Sequence, residues 1–302
     1  MKVIKITPRG YCKGVVRALQ IAINTRKTYP NHEIYILGML VHNTYVTKAL
    51  EALRIYSVEA KGKTRLELLD NIPSGSVVIF SAHGVSNHVR EKAKVKGFIS
   101  IDASCDDVLY TQQLIQQYVN KDYDVLYIGK KGHPEAEAVL AISSKVHLIE
   151  KIEDLHQHPS YPKCFVSNQT TMSLFDVNHL FKEIQQRIPH AIFAKEICQA
   201  TTMRQNAIAQ IDANEVELLY IVGDKASNNS NRLAQIAKEH GVSQVYLIDS
   251  VEDITVEQLN NIQCCAVSSG ASTPTYLTNQ VIEYLSQYPN CERPKVNMDN
   301  IL

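Results

Sequence analysis

Three cysteines of this 302-residue chain are evenly spaced: Cys12 to Cys105 is 93 residues, and Cys105 to Cys198 is again 93. Four others, Cys164, Cys264, Cys265 and Cys291, fall outside that register. A disulfide framework is not expected from an odd count of seven in a chain with no signal peptide in its first residues, MKVIKITPRGYCKG. Buried thiols, metal ligands and nucleophiles stay open. Three thiolates at repeating positions suit a metal or a cluster. Structural zinc sites take four ligands in close cysteine pairs, and no C-x-x-C pair occurs here. An iron–sulfur cube accepts cysteines at variable spacing. Held by three, it leaves one iron with no protein ligand, a Lewis acid and an electron port at once. Cys164, Cys264 and Cys265 lie in apolar runs and read as structural thiols.

Other groups with chemistry sit at equivalent turns. His42, His83 and His133 each lie beside a glycine or turn that ends an apolar run. Gly132-His133-Pro134-Glu135 is the sharpest local motif. Pro134 fits the first turn of a helix, where its missing N–H costs nothing. Glu135 then falls in that first turn, where its carboxyl can cap the helix or relay protons. Ser227, Asn228 and Asn229 form a polar cluster, Ser272 stands in a Ser-Ser-Gly-Ala-Ser-Thr-Pro turn, and Thr170 and Thr171 occupy its counterpart. Such turns cap helices, and they also offer neutral donors to phosphate. One helix end contributes about 0.3–1 kcal/mol to holding an anion. Several ends plus histidines could therefore hold a diphosphate without an arginine clamp. No Walker motif and no G-x-G-x-x-G after a strand is present, so a nucleotide cofactor is not indicated.

The elements that carry these residues repeat. Each evenly spaced cysteine follows a short β-type run and opens a helical pattern. About 25 residues later an apolar strand ends in glycine: IYILG at Gly38, VLYIG at Gly129 and LYIVG at Gly223. A polar cluster and a helix follow, then a further strand into a polar turn: VVIFSAHGVS, CFVSNQTTMS and CAVSSGASTP. HLIEKIEDL (147–155) and YLIDSVEDI (246–254) match directly. Strand–helix–strand alternation predicts α/β architecture with parallel sheets, whose ligands collect beyond the carboxyl ends of the strands. Three small α/β domains about a pseudo-threefold axis are the economical arrangement. The expected boundaries are 13–104 with Cys12 at its start, 105–197, 198–285 together with 1–12, and a tail at 286–302.

Composition bounds the class of protein. With 45% hydrophobic and 21% charged residues the chain is ordinary globular material, not disordered or fibrous. Thirty-one basic residues balance thirty-one acidic ones, so no nucleic-acid footprint is expected. No run approaches the ~18 apolar residues of a membrane span. A soluble, cytoplasmic protein is expected.

The segments GYCKGV, LVHN, SAHGVS, DASCDDV, GHPE, NQTT, ICQATTMRQ, SNNSNRL and GASTP stand in this order along the chain. Together they make the sequence resemble the 4-hydroxy-3-methylbut-2-enyl diphosphate reductases (the LytB family) over nearly its whole length. The resemblance implies a trefoil-like set of three α/β domains around a central [4Fe–4S] cluster, one per chain, with Cys12, Cys105 and Cys198 as its ligands. It implies that His42, His83, Ser227, Asn229 and Ser272 hold the substrate's diphosphate, that His133 contacts substrate and that Glu135 donates a proton. Thr170 and Thr171 would help orient the substrate hydroxyl. It further implies an external one-electron donor, a flavodoxin or ferredoxin. Many members read Ser-Ser-Asn where this chain has Ser227-Asn228-Asn229; Asn228 keeps donor capacity but is bulkier. The implied reaction is reductive removal of the allylic hydroxyl to give isopentenyl and dimethylallyl diphosphate, the last step of the methylerythritol phosphate route.

Two other readings are set against this one. A three-cysteine cluster enzyme of quinolinate-synthase type condenses and dehydrates, and needs no reducing electrons. A non-enzymatic iron–sulfur sensor or zinc module would not need the dense set of pocket donors. The cysteine reading is checked by Cys198→Ala, which is expected to lose cluster iron and brown absorbance after anaerobic reconstitution. An intact cluster with full activity in that variant would remove Cys198 from the ligand set.

Overall fold

The computed structural model describes residues 1–157, 161–194 and 198–302. Ile197, part of ICQATTMRQ and the last residue of the second expected domain, lies outside the described residues. After β1 (Lys2–Lys5) and α1 (Lys13–Thr28), the chain forms β2 (Ile34–Leu37), α2 (Thr44–Ala52), β3 (Ile55–Val58), α3 (Arg65–Leu68), β4 (Val77–Phe80), α4 (Asn87–Val95) and β5 (Ile99–Asp102). The second run is α5 (Asp106–Asn120), β6 (Asp124–Ile128), α6 (Pro134–Leu140), β7 (Val146–Ile149), β8 (Cys164–Asn168), α7 (Leu174–Arg187) and β9 (Ile192–Phe193). The third is α8 (Gln199–Ala209), β10 (Leu218–Val222), α9 (Asn228–Glu239), β11 (Gln244–Ile248), α10 (Val256–Leu259), β12 (Cys264–Ser269) and α11 (Thr275–Gln287).

Among the described residues these strands build three four-stranded sheets, and every pairing of these strands is parallel. The orders are β3-β2-β4-β5, β7-β6-β8-β9 and β11-β10-β12-β1. All three are one pattern, in which the first strand of the run lies between the second and the third, and the fourth takes the edge beside the third. The last sheet borrows its fourth strand from the start of the chain, with β1 pairing β12 from Lys2↔Cys264 to Lys5↔Val267. The regular cysteines therefore share one topological place. Each lies between the fourth strand of a sheet and the next helix: Cys12 between β1 and α1, Cys105 between β5 and α5, Cys198 between β9 and α8.

Parallel strands joined by helical crossovers are covered on both faces, so they read as continuous apolar runs and not as alternation. Accordingly β4 (VVIF) and β10 (LLYIV) are buried at every position. The described residues form two compact units, Met1–Val16 with Val41–Leu50 and Gln199–Leu302, and Arg17–Leu40 with Glu51–Cys198. In the first, Leu219 and Ile221 of β10 and Ala266 of β12 pack with Ile208 of α8 and Leu233 and Ile236 of α9. In the second, the sheet of β6 and β8 is sandwiched. Val125, Tyr127 and Phe165 meet Ile115 of α5 and Val139 of α6 on one face. Leu126, Ile128 and Val166 meet Val177, Leu180 and Ile184 of α7 on the other. This packing fixes the ends of β6 and β8, from which the turns of the next section project. No helix among the described residues is long and apolar enough to cross a membrane.

Candidate active site

The second unit gathers a carboxylic acid, two histidines and a threonine. Beyond β6 the chain turns through Gly129 and Gly132 into α6, and His133 is the residue that caps it. Its Nδ1 accepts the backbone N–H of Glu135 at 3.2 Å, which leaves the proton of a neutral ring on Nε2. Pro134 occupies the first turn, as the missing N–H predicts. Glu135 follows and is 3% exposed. Its carboxylate accepts two bonds from the turn after β8, from the N–H of Thr170 at 2.9 Å and from Thr170 Oγ1 at 3.0 Å. Burial nevertheless outweighs these bonds and pushes the Glu135 carboxyl up to about 7, with Asp107 acting in the same direction. His83, in the turn after β4, stands edge-on to His133 with 5.7 Å between ring centroids.

The two threonines do different things. Thr170 is joined to Glu135, whereas Thr171 Oγ1 accepts from Gln169 Nε2 at 2.8 Å. Gln169 is fully buried, and its Oε1 accepts the N–H of Lys130 at 3.0 Å. Gln169 thus ties the turn after β6 to the turn after β8, and so holds Thr170 against Glu135.

The first unit gathers neutral donors at the ends of β10 and β12. Ser227 caps α9, its Oγ accepting the N–H of Ser230 at 3.3 Å. Asn229 is 7% exposed, and neither its amide nitrogen nor its amide oxygen has a partner among the described residues. A buried amide left this way is costly unless something polar meets it. Asn228 begins α9 beside it. The strand ends are glycines because Ser230 fills the space: a Cβ would lie 2.3 Å from Ser230 Oγ at Gly223 and 2.2 Å at Gly270. Ser272 Oγ donates to the carbonyl of His42 at 3.1 Å. His42 is placed from its other side by Asn43, whose Oδ1 accepts the N–H of Val46 at the start of α2. Asp224 Oδ2 accepts both the N–H of Thr44 at 3.0 Å and Thr44 Oγ1 at 2.8 Å, so it joins α2 to the turn before α9. The cluster offers serine, asparagine and backbone donors without a guanidinium clamp, which suits an anion with several oxygens.

Asn43, Gln169 and Asp224 were not singled out by the sequence reading. Asn43 carries a readable signal, an asparagine directly before a helical pattern. Asp224 follows a strand-end glycine, and Gln169 lies inside NQTT. Their partners are 180 residues away for Asp224 and 39 for Gln169, which no local pattern reveals.

Three of the four cysteines outside the register are buried, and Cys291 is partly exposed like the regular three. Cys12, Cys105 and Cys198 are partly exposed, while Cys164, Cys264 and Cys265 are buried in strands. Burial pushes the Cys164 and Cys265 thiols up to about 12 and raises Cys264, which makes them protonated structural thiols. Cys291 Sγ donates to the carbonyl of Tyr284 at 3.7 Å. Among the described residues no three His, Cys, Asp or Glu side chains gather around the position of a single metal ion. A cube makes a different demand, because each cysteine thiolate binds its own iron. Cys12, Cys105 and Cys198 are thiols of the kind that can bind such irons; each is partly exposed and each follows the fourth strand of its sheet.

Comparison with known proteins agrees with the geometry. A family model described as "LytB protein" matches residues 3–286. A protein of Bacillus cytotoxicus named 4-hydroxy-3-methylbut-2-enyl diphosphate reductase is 50% identical over 293 residues, covering 95% of this chain and 91% of that protein. One of the same name from Anoxybacillus flavithermus is 48% identical over 295 residues, covering 96% and 92%. Among solved structures, the E-1-hydroxy-2-methyl-but-2-enyl-4-diphosphate reductase of Plasmodium falciparum superimposes with a TM-score of 0.87 at 30% identity, covering 98% of this chain and 95% of that one. A second solved structure, titled as (E)-4-hydroxy-3-methyl-but-2-enyl diphosphate reductase, gives 0.67 at 27% identity, covering 95% and 100%.

The raised pKa of Glu135 has a consequence for stability. Below the unfolded value of 4.5 the carboxyl is protonated in both states; between there and about 7 only the folded chain keeps the proton. Stability therefore falls as pH rises through this window, by on the order of 3 kcal/mol for a fully buried group, and levels off above it. Denaturant unfolding of the parent chain between pH 5 and 8 is expected to show this loss, and Glu135→Gln to lack it. Parallel pH profiles for the two proteins would contradict the assignment.

Proposed function

The chain belongs to the LytB family, and from that membership we propose that it reduces (E)-4-hydroxy-3-methylbut-2-enyl diphosphate. The reaction takes two electrons and two protons, breaks the allylic C–O bond and releases water, giving isopentenyl diphosphate and dimethylallyl diphosphate. This is the terminal step of the non-mevalonate route to isoprenoids, the role printed for one solved relative. The reading includes one [4Fe–4S] cluster per chain, with Cys12, Cys105 and Cys198 as its ligands. It includes three α/β domains with the boundaries given above, a cytoplasmic location and an external one-electron donor of the flavodoxin or ferredoxin kind. When bound, such a cluster supplies a Lewis-acidic iron and a path for electrons delivered singly.

The protein's own side chains have separable tasks. Ser227, Asn228, Asn229 and Ser272 supply neutral donors for the diphosphate, with His42 and His83 adding ring N–H groups. His133 presents Nε2–H, the tautomer favoured by its bond from the N–H of Glu135. Thr170 keeps Glu135 in one rotamer through two bonds and can pass its hydroxyl contact to the substrate oxygen; Thr171 acts through Gln169 on the same turn. Glu135 delivers the proton to the departing oxygen. Hydroxide is a poor leaving group at neutral pH and water a good one, so the acid must still hold its proton near pH 7.

The observation that carries the reading is the buried Glu135 carboxyl, 3% exposed and raised to about 7. An acid of that strength is matched to general acid catalysis at physiological pH. Glu135→Gln preserves shape and one acceptor oxygen but cannot give up a proton. With dithionite as reductant it is expected to keep cluster iron and substrate binding while turnover falls by about 10²–10⁴. Near-normal turnover would remove Glu135 from the proton path.

A further inference from the structure

The family match ends at residue 286, yet the chain beyond it is not idle. Residues 288–297 form neither helix nor strand, and they are held by contacts from α11 and from the turn at residues 252–254. Arg293 donates to the carbonyl of Ile254, and Val296 N–H donates to Glu252 Oε1 at 2.9 Å. Gln280 Nε2 of α11 donates to the carbonyl of Lys295 at 2.9 Å, and Asn297 N–H donates to the hydroxyl of Tyr276 at 3.1 Å. A short helical turn, Met298–Asn300, is capped by Asn297. It delivers Ile301, 1% exposed between the exposed Asn300 and Leu302. The carbonyl of Ile301 then accepts the hydroxyl of Tyr11 at 3.0 Å.

Tyr11 precedes Cys12, and the backbone on either side of it is held. Gly10 N–H donates to Ser269 Oγ at 2.7 Å, and the buried Arg204 donates to the Gly10 carbonyl at 2.7 Å. Cys12 N–H donates to the carbonyl of Ala271 at 3.0 Å. Gly10 has φ +74, and a Cβ there would sit 2.3 Å from Thr275 Oγ1, so the loop lies flat against the start of α11. Those three clamps hold the backbone. The fourth, through Tyr11, holds the side chain next to the sulfur and comes from the far end of the sequence.

We propose that segment 291–302 is a strap that locks loop 7–12, with Tyr11 as the positioning residue through which it fixes Cys12. Segments without helix or strand open readily unless tied down, and this one is tied to the loop that carries a cysteine. A ligand held before its partner arrives loses less conformational freedom on binding. That half of the proposal rests on Cys12 being a cluster ligand; the locking of the loop does not.

The test uses the parent protein, Tyr11→Phe, Ile301→Ala and a variant lacking residues 298–302. Hydrogen exchange is followed at the Gly10 and Cys12 amides, with the Cys105 amide, bonded to the carbonyl of Ala82, as internal control. Removing the strap is expected to speed exchange in loop 7–12 about tenfold, and Tyr11→Phe about threefold, with Cys105 unchanged. Iron release to a chelator from anaerobically reconstituted protein is expected to quicken in the same order. Unchanged exchange at Gly10 and Cys12, or equal acceleration at Cys105, overturns the strap. Faster exchange with unaltered iron release overturns its action on Cys12 as a ligand. If the shortened chain does not fold, Tyr11→Phe and Ile301→Ala decide between the same outcomes.

Discussion

The proposed chemistry depends on a carboxyl group kept away from water. Two hydrogen bonds from Thr170 would by themselves make Glu135 a stronger acid than free glutamate. Enclosure wins because solvation of a carboxylate is worth more than two neutral donors can replace. The balance leaves a group that is ionisable, but only near neutrality. A looser site would give an acid already spent at pH 7. A site with no donors would give one that never lets go of its proton.

That balance is built by the sheet. Glu135 leaves the end of β6 and Thr170 the end of β8, and the two strands are neighbours in register from Asp124↔Cys164 to Ile128↔Asn168. The parallel pairing brings residues 35 positions apart to hydrogen-bonding distance. Gln169 bridges the same two turns, and Pro134 and His133 set how α6 starts. The same strand order serves a different end in the sheet of β10 and β12. There the strand-end turns carry Ser227, Asn229 and Ser272, and Ser230 fills the room that side chains at Gly223 and Gly270 would need. One topology thus supports a buried carboxyl in one place and a cluster of neutral donors in another, because strand-end turns tolerate change while the buried strands beneath them do not.

Much of this was legible in the sequence. The even spacing of Cys12, Cys105 and Cys198, with strands ending in Gly38, Gly129 and Gly223, foretold three like parallel sheets. The borrowed strand at residues 2–5 was implied by the apolar run before Cys12. GHPE announced a helix start with an acid in its first turn, and it is one. What stayed hidden depends on contacts between distant segments. Nothing local separates Thr170 from Thr171; the turn after β8 sends one to Glu135 and leaves the other with Gln169. Asp224 looks like an ordinary turn residue until Thr44 is found on it. Burial of Glu135, which sets its acidity, is a property of everything packed around it. The three regular cysteines can be told from the other four by register alone, and for Cys164, Cys264 and Cys265 the structure adds a reason, since they are enclosed thiols with raised proton affinity; Cys291 is partly exposed and is set apart by register only.

The most direct measurement is the protonation of Glu135 itself. Infrared difference spectra recorded in steps from pH 5 to 9 should show a protonated carboxyl band that fades with a midpoint near 7 and is missing from Glu135→Gln. A carboxyl that titrates at the ordinary value near 4.5 would contradict the account, because an acid already ionised at neutral pH cannot protonate a leaving oxygen.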